Sequence, residues 1–277
     1  MGRKDAWLGA YGVRLANVDD AAELLVPAGA DWPALAVEQR LGPGEAPHDR
    51  MTEAVATLTL RNGGEIVIER HEGRVTFVLP RPLAAAELVH PLLAPVGGVM
   101  AWWYGRESFH AGGLVVDGRV WAVLGERGAG KSTTMASLAL AGHGIVCDDL
   151  LVVEGRRVFA GPRSVDLRET AAAHLGAGEA LGMVGARERW RLRVGPVDGD
   201  LELAGAVFLA WGDRVETVPL APRDRLARLS AQRGVTIPPR DPAALLDLAA
   251  LPAWELRRPR SWDSLEPAAD ALLAALA

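Results

Sequence analysis

Residues 125–132, Gly-Glu-Arg-Gly-Ala-Gly-Lys-Ser, fit the pattern G-x-x-x-x-G-K-[ST]. Each fixed type has a physical reason. Gly125, Gly128 and Gly130 let the backbone turn tightly and aim several N–H groups inward, a cradle for phosphate oxygens. Lys131 brings a positive charge to the β- and γ-phosphates, and Ser132 offers a hydroxyl to Mg²⁺. A helix starting at the loop adds its positive end to the same anion. Glu126, Arg127, Ala129 and the following Thr133 complete the nucleotide-contacting stretch, and Arg127 either touches phosphate or is solvated. The chemistry implied is the binding of ATP with Mg²⁺.

Asp148 and Asp149 come next, at the end of a short apolar strand. In a parallel sheet the carboxyl ends of the strands face the ligand crevice. Two adjacent acids point in different directions, so one can serve the metal and the other the reacting phosphate. His110 lies upstream, before the hairpin that leads into the loop strand, either structural or catalytic. His143, beside Gly142 and Gly144, reads as a helix C-terminal cap. Arg163 and Arg168 are candidates for bidentate phosphate or substrate contact. Arg187, Arg189, Arg191 and Arg193 alternate, which suits the polar face of a strand or a site for an acidic peptide; the polar face is the plainer reading.

The elements that must position these residues follow from periodicity and turn chemistry. Residues 58–60 and 66–69 flank Asn62-Gly63, a tight-hairpin pair, and 75–79 follow as a third strand. Residues 84–103 are apolar and helical, with Pro91 and Pro95 breaking the helix or marking its start. Residues 114–116 and 120–124 flank Asp117-Gly118, a second hairpin whose apolar return strand feeds the glycine-rich loop. A helix over 133–141, a buried strand over 145–147 and a hairpin over 151–159 come after it. Further strands are expected over 207–211 and 215–218, and helices over 224–230, 242–251 and 267–276. The pattern changes near residue 105, which suggests a small strand-rich N-terminal region, 1–104, and a larger α/β domain, 105–277.

Composition narrows the class. Of the 277 residues, 49% are hydrophobic, enough for a real core, and the formal net charge is -5, which does not suggest bulk nucleic-acid binding. Lys4 and Lys131 are the two lysines, so a phosphate-site lysine has one natural candidate. The single cysteine, Cys147, excludes an internal disulfide and fits a cytoplasmic setting. The basic N-terminus lacks the apolar run of a signal peptide, and no stretch reads as a membrane span.

Residues 109–155 resemble the kinase domain of HPr kinase/phosphorylase and its relatives, with His110 before a hairpin, the loop at 125–132, and Asp148-Asp149 close behind a very short helix and strand. The resemblance implies an HPr-kinase-like core with a mixed sheet and hairpins. It implies that Asp148 is the general base toward a serine hydroxyl, that Asp149 and Ser132 serve Mg²⁺, and that His110 lies near the catalytic acid. The layout is also similar to the lasso-peptide precursor kinases of ribosomal-peptide pathways, which phosphorylate a C-terminal serine. The implied function is serine phosphorylation of a peptide or small protein, with a homo-oligomer as in the HPr kinases. Three alternatives stay open: a carrier-protein kinase/phosphorylase; an ABC-type ATPase, whose signature residues 229–234 faintly resemble, although no strand ending in Asp-Glu follows; and a non-transferring nucleotide-binding scaffold.

Overall fold

The structure, a computed structural model, describes residues 7–44, 48–61, 63–197 and 201–277. It is a mixed α/β fold. The N-terminal part is one sheet of eight strands: β1 (Leu8–Ala10), β2 (Val13–Ala16), β3 (Val26–Pro27), β4 (Ala34–Leu41), β5 (Arg50–Met51), β6 (Val55–Thr59), β7 (Glu65–Glu69) and β8 (Arg74–Leu79). Their spatial order is β3-β1-β2-β4-β8-β7-β6-β5. β7 and β8 fall where the sequence expects them, while β6 begins and ends earlier than the expected 58–60. Their alternation sends Ala56, Ile66, Ile68, Val75 and Phe77 into the core. Asn62, half of the expected turn pair, lies outside the described residues. β1 to β5 carried no usable sequence signal, being short or, like β4, largely exposed and polar.

The apolar stretch after β8 is not one helix. It holds a single turn, α1 (Ala85–Glu87), a wide irregular turn over Leu88–Leu92, and then α2 (Leu93–Trp103). Pro91 sits in the irregular turn, and Pro95 in the first turn of α2, where no intrahelical N–H bond is lost. His90 leaves helical geometry at φ -144 and ψ 125.

The remainder comprises β9 (Glu107–Phe109), β10 (Gly112–Val116), β11 (Arg119–Gly125), α3 (Lys131–Leu140), β12 (Ile145–Cys147), β13 (Leu151–Glu154), β14 (Arg157–Phe159), β15 (Ser164–Leu167), α4 (Glu169–Leu175), β16 (Glu179–Val184), β17 (Arg187–Arg193), β18 (Leu203–Trp211), β19 (Glu216–Pro219), α5 (Pro222–Ala231), α6 (Pro242–Ala250), β20 (Ala253–Arg258) and α7 (Leu265–Leu276). The central sheet runs β12-β10-β11-β18-β20-β19, and two small antiparallel sheets, β14-β13-β9 and β15-β17-β16, flank it. β11, β18 and β20 are parallel, while β10 is antiparallel to both β11 and β12. Asp117 (φ 49) and Gly118 (φ 73) turn β10 into β11 with two positive-φ residues, as an Asp-Gly hairpin requires.

One core is continuous across residue 104. Tyr11, Phe77, Leu79 and Val99 pack in the same cluster as Phe109, Leu151 and Phe159. Polar ties reinforce it. Arg106 donates to the Gly12 carbonyl (2.9 Å) and to Glu154 (3.0 Å), with its guanidinium 4.1 Å from the Phe159 ring centroid. The Tyr11 N–H donates to the Ala160 carbonyl at 2.7 Å. A second cluster joins α3 (Met135, Ala136, Leu138) to α7 (Leu272, Leu276) and the central sheet. With a shared core, Tyr11→Ala should lower stability by about 3–5 kcal/mol, as aromatic truncations in cores do. Urea unfolding should then remain a single transition, shifted to lower denaturant; two separate transitions would contradict a shared core.

Candidate functional site

The phosphate-loop pattern falls where the mechanism needs it. Val120 to Leu124 of β11 are all buried, and the strand is locked in parallel register with β18, Val123 opposite Val207. Gly128 and Gly130 take φ values of 90 and 91, the left-handed region that glycine enters at no steric cost. A Cβ on Gly130 would also lie 2.7 Å from a guanidinium nitrogen of Arg258, so the loop sits directly on that side chain. Lys131 and Ser132 are the first residues of α3, whose unpaired N–H groups face the loop's concave side. Lys131 Nζ donates to the Gly125 carbonyl at 2.7 Å, and burial pushes its pKa down. Glu126 is exposed and its carbonyl accepts from the Ala129 N–H, while Ala129 itself is packed in the core.

The paired acids reach the same edge by a route the sequence did not suggest. β12 is not a parallel neighbour of β11. The antiparallel strand β10 lies between them, so β12 and β11 run in the same direction and end at the same edge of the sheet. Asp148 is only 2% exposed. The Ser132 hydroxyl donates to its Oδ1 at 3.2 Å, and its Oδ2 is buried with no partner. Burial first, then the charge of Asp149, pushes the Asp148 pKa up to about 8. Asp149 faces the cleft from a left-handed backbone, φ 70, a conformation that costs a non-glycine residue about 1–2 kcal/mol. Such strain persists where the surroundings enforce it, and it clusters at functional sites. His110 Nδ1 lies 2.9 Å from the Asp149 carbonyl. A carbonyl only accepts, so Nδ1 is the donor in this bond, and Nε2 is the nitrogen left free of it. Segment 229–234, the ABC-like stretch, does not line the cleft. It braces β9 instead: Gln232 accepts from the His110 N–H (2.7 Å), Arg233 pairs with Glu107 (2.9 Å), and Gly234 donates to Ser108 (2.7 Å).

The cleft measures about 610 Å³. Its walls include His110, Arg127, Gly128, Gly130, Lys131, Ser132, Thr133, Asp149 and Arg168, so most of the expected site residues meet there. Arg163 does not. Its backbone bonds to Leu24, and its Nε is buried without a partner. The alternating arginines are not a solvated face. Arg187 and Arg189 line the cleft, and Arg191 is 4% exposed, forming a bidentate pair with Asp166 (2.9 and 3.1 Å). Only Arg193 faces solvent, near Glu23 and Glu179. Burial of the facing strand β15 explains the difference: an internal acid on one strand needs a cation directly opposite on the next, and Asp166 is paired in register with Arg191.

Several site residues had no sequence signal. His90 comes from the irregular turn before α2. It is 1% exposed, both ring nitrogens lack a hydrogen bond, and burial holds its pKa down. Its ligand atom and those of Asp148 and Asp149 all lie within 4.8 Å of one another. Arg258, Arg260 and Trp211 form a cation–aromatic stack under the loop, with Arg258 4.5 Å from the Trp211 ring centroid. Trp262 stacks on His174 at 4.3 Å at the outer rim. None of these lies in a recognisable motif; only the ends of β18 and β20, parallel to the loop strand, bring the stack together. For a divalent ion, Ser132, Asp148 and Asp149 supply the hard oxygen donors that suit Mg²⁺, and the unpartnered Asp148 Oδ2 leaves a coordination site.

No protein-family model and no curated protein matches the chain. Among solved structures it is similar to the Hpr(Ser) kinase/phosphatase from Coxiella burnetii, at 16% identity and a TM-score of 0.30, over 61% of this chain and 94% of that one. A likeness this distant decides nothing about chemistry.

Two expectations follow from the geometry. Gly130→Ala forces a side chain into a left-handed position against Arg258, so Mg²⁺–nucleotide affinity should fall at least about tenfold, roughly 1.4 kcal/mol, measured by calorimetry. The second concerns pH. In the fold burial pushes the Asp148 pKa up to about 8, whereas the unfolded chain releases the proton near the ordinary carboxylate value of 3.8. The folded state therefore holds more protons between these values, and stability falls as pH rises through that window, then levels. Asp148→Asn removes this loss. Its melting temperature should exceed that of the wild type at pH 8, with the gap shrinking toward pH 4; a gap independent of pH would refute the assignment.

Proposed function

We propose that the chain is an ATP-dependent kinase that transfers the γ-phosphoryl group to a serine hydroxyl of a peptide or small protein. The reading rests on one observation: Lys131, Ser132 and the buried carboxyl of Asp148, one of whose oxygens has no partner, converge at the foot of a cleft that Asp149 and His110 also reach. The loop amides and Lys131 bind the β- and γ-phosphates and hold them in line. Ser132 and Asp149 hold Mg²⁺. An ion held by these two residues would supply positive charge against the transferring phosphoryl group. Asp148 accepts the acceptor's hydroxyl proton. In the empty cleft burial pushes this carboxyl up to about 8, so it can serve as a base only once the positive charge that comes with the nucleotide has drawn its pKa down and released its proton. His110, with Nδ1 committed to the Asp149 carbonyl and its ring on the cleft wall, orients the acceptor hydroxyl. Arg168 and Arg127, at the rim, contact phosphate or acceptor.

The acceptor implied by the sequence resemblance is a ribosomally made, lasso-type precursor peptide, and the homo-oligomer and cytoplasmic setting implied by sequence belong to the same proposal. Buried, unpaired Cys147 fits a reducing compartment. No helix among the described residues is long and apolar enough to cross a membrane.

One observation favours a second division of labour. Ser132 bonds to Asp148, not Asp149. In that version Asp148 is the metal ligand and cleft-facing Asp149 takes the proton. Labelled ATP with a serine peptide separates the two. On the first division, Asp148→Asn lowers transfer by about 10²–10⁴-fold while Mg²⁺–ADP affinity stays within about threefold. If Asp149→Asn shows that pattern instead, the roles are exchanged. Full transfer by both variants sinks the assignment of either aspartate as the base, absence of transfer to any serine peptide by the wild type sinks the kinase reading, and hydrolysis that needs no acceptor points to an ATPase.

A further inference from the structure

Past Arg127 the cleft opens into a second recess of about 290 Å³. The two spaces share Arg127, Arg187 and Arg189, and Arg61 of the N-terminal sheet closes the far side. Pro91 and Leu92, from the turn before α2, give the recess an apolar wall. No acidic side chain among the described residues lines it. The nearest carboxylate, Asp166, is taken up by Arg191. Arg189 shares it only at 3.4 Å and otherwise donates to the Val184 carbonyl. Arg187 reaches only the Asp166 backbone carbonyl, also at 3.4 Å. Arg61 and Arg127 form no ion pair with a described residue. Burial and the neighbouring Arg187 charge hold the Arg189 pKa down. Four guanidiniums around one small space repel each other, and an anion seated among them relieves that repulsion.

The triphosphate has its own seat in the loop amides and Lys131, so the recess is left for the acceptor. Arginine forks match a carboxylate bidentately, and the Pro91–Leu92 wall suits the short aliphatic stem of an acidic side chain. We infer that this recess binds a carboxylate of the acceptor, so that the chain selects serines with Asp or Glu close by in the peptide. The inference rests on the kinase reading above and adds a role for the N-terminal sheet, which supplies Arg61 to acceptor selection.

The test uses the full chain, Mg²⁺–ATP, and serine peptides that differ only in carrying Asp, Asn or Lys at each position flanking the serine. In parallel, fluorescein-labelled Asp and Asn peptides are titrated by anisotropy in the presence of Mg²⁺ and a non-hydrolysable ATP analogue. The wild type should prefer Asp over Asn at one or more positions by about tenfold or more in kcat/KM, about the worth of one charge-assisted contact. Arg61→Gln, at an exposed position where folding is not at risk, should bring the Asp peptide down to the level of the Asn peptide and leave Mg²⁺–ADP affinity within about twofold. Absence of an Asp preference overturns the inference while leaving the kinase intact, as does a preference that survives in Arg61→Gln. An equal loss of nucleotide and peptide binding in that variant assigns the recess to the nucleotide and also overturns it. If no peptide is phosphorylated, the kinase reading fails and anisotropy decides alone: tighter binding of the Asp peptide, lost in Arg61→Gln, upholds the recess, and equal binding of Asp and Asn peptides refutes it.

Discussion

A carboxyl group buried to 2% exposure, held by a single serine hydroxyl and with one oxygen unpartnered, is an expensive thing for a fold to keep. Charged, it would cost several kcal/mol of desolvation without a cation to offset it. The fold keeps Asp148 protonated near neutral pH and so avoids most of that cost. The same arrangement makes the group responsive to whatever positive charge arrives with a nucleotide. Much of the surrounding architecture serves this one side chain. β12 is just three buried residues, β10 spaces it from the loop strand, and α3 starts at the point that brings Ser132 against it. Asp149 takes a left-handed backbone so that the chain can leave the site.

The N-terminal sheet is part of this environment. Tyr11 is buried beneath the site with its hydroxyl 3.5 Å from the Asp148 carbonyl, and His90 closes the group of acids from the same side. Arg106 and Phe159 clamp the two halves together. The N-terminal part thus packs behind the site through Tyr11 and also contributes Arg61 to the recess beside the cleft.

What could be read from sequence was local. The loop at 125–132 carries a fixed pattern, and the hairpins at Asp117-Gly118 and Glu154-Gly155 are written in their turn residues. The strand before Asp148 is short, apolar and bounded by glycine and acid. These signals depend on neighbours in the chain, so one sequence contains them. The rest depended on partners far away. β4 buries only Leu35 and Val37 and is otherwise largely exposed, so its pairing with β2 and β8 is what defines its length. The arginines of β17 read as a surface run because alternation alone cannot say which face is covered; Asp166, facing them from β15, decides it. His90 had no motif at all, being carried to the acids by a break in a helix. Arg163 was an arginine in a promising place that does not line the cleft.

The central claim is that the foot of the loop, where Ser132 meets Asp148, is the seat of a metal-bound triphosphate. Calorimetric titration of ADP with Mg²⁺ and with chelator, on the wild type and on Ser132→Ala, tests it most directly. The expected result is at least about tenfold tighter binding with Mg²⁺ in the wild type, with that difference largely gone in Ser132→Ala. Equal affinity with and without Mg²⁺, or a Mg²⁺ effect untouched by the loss of the hydroxyl, would contradict it.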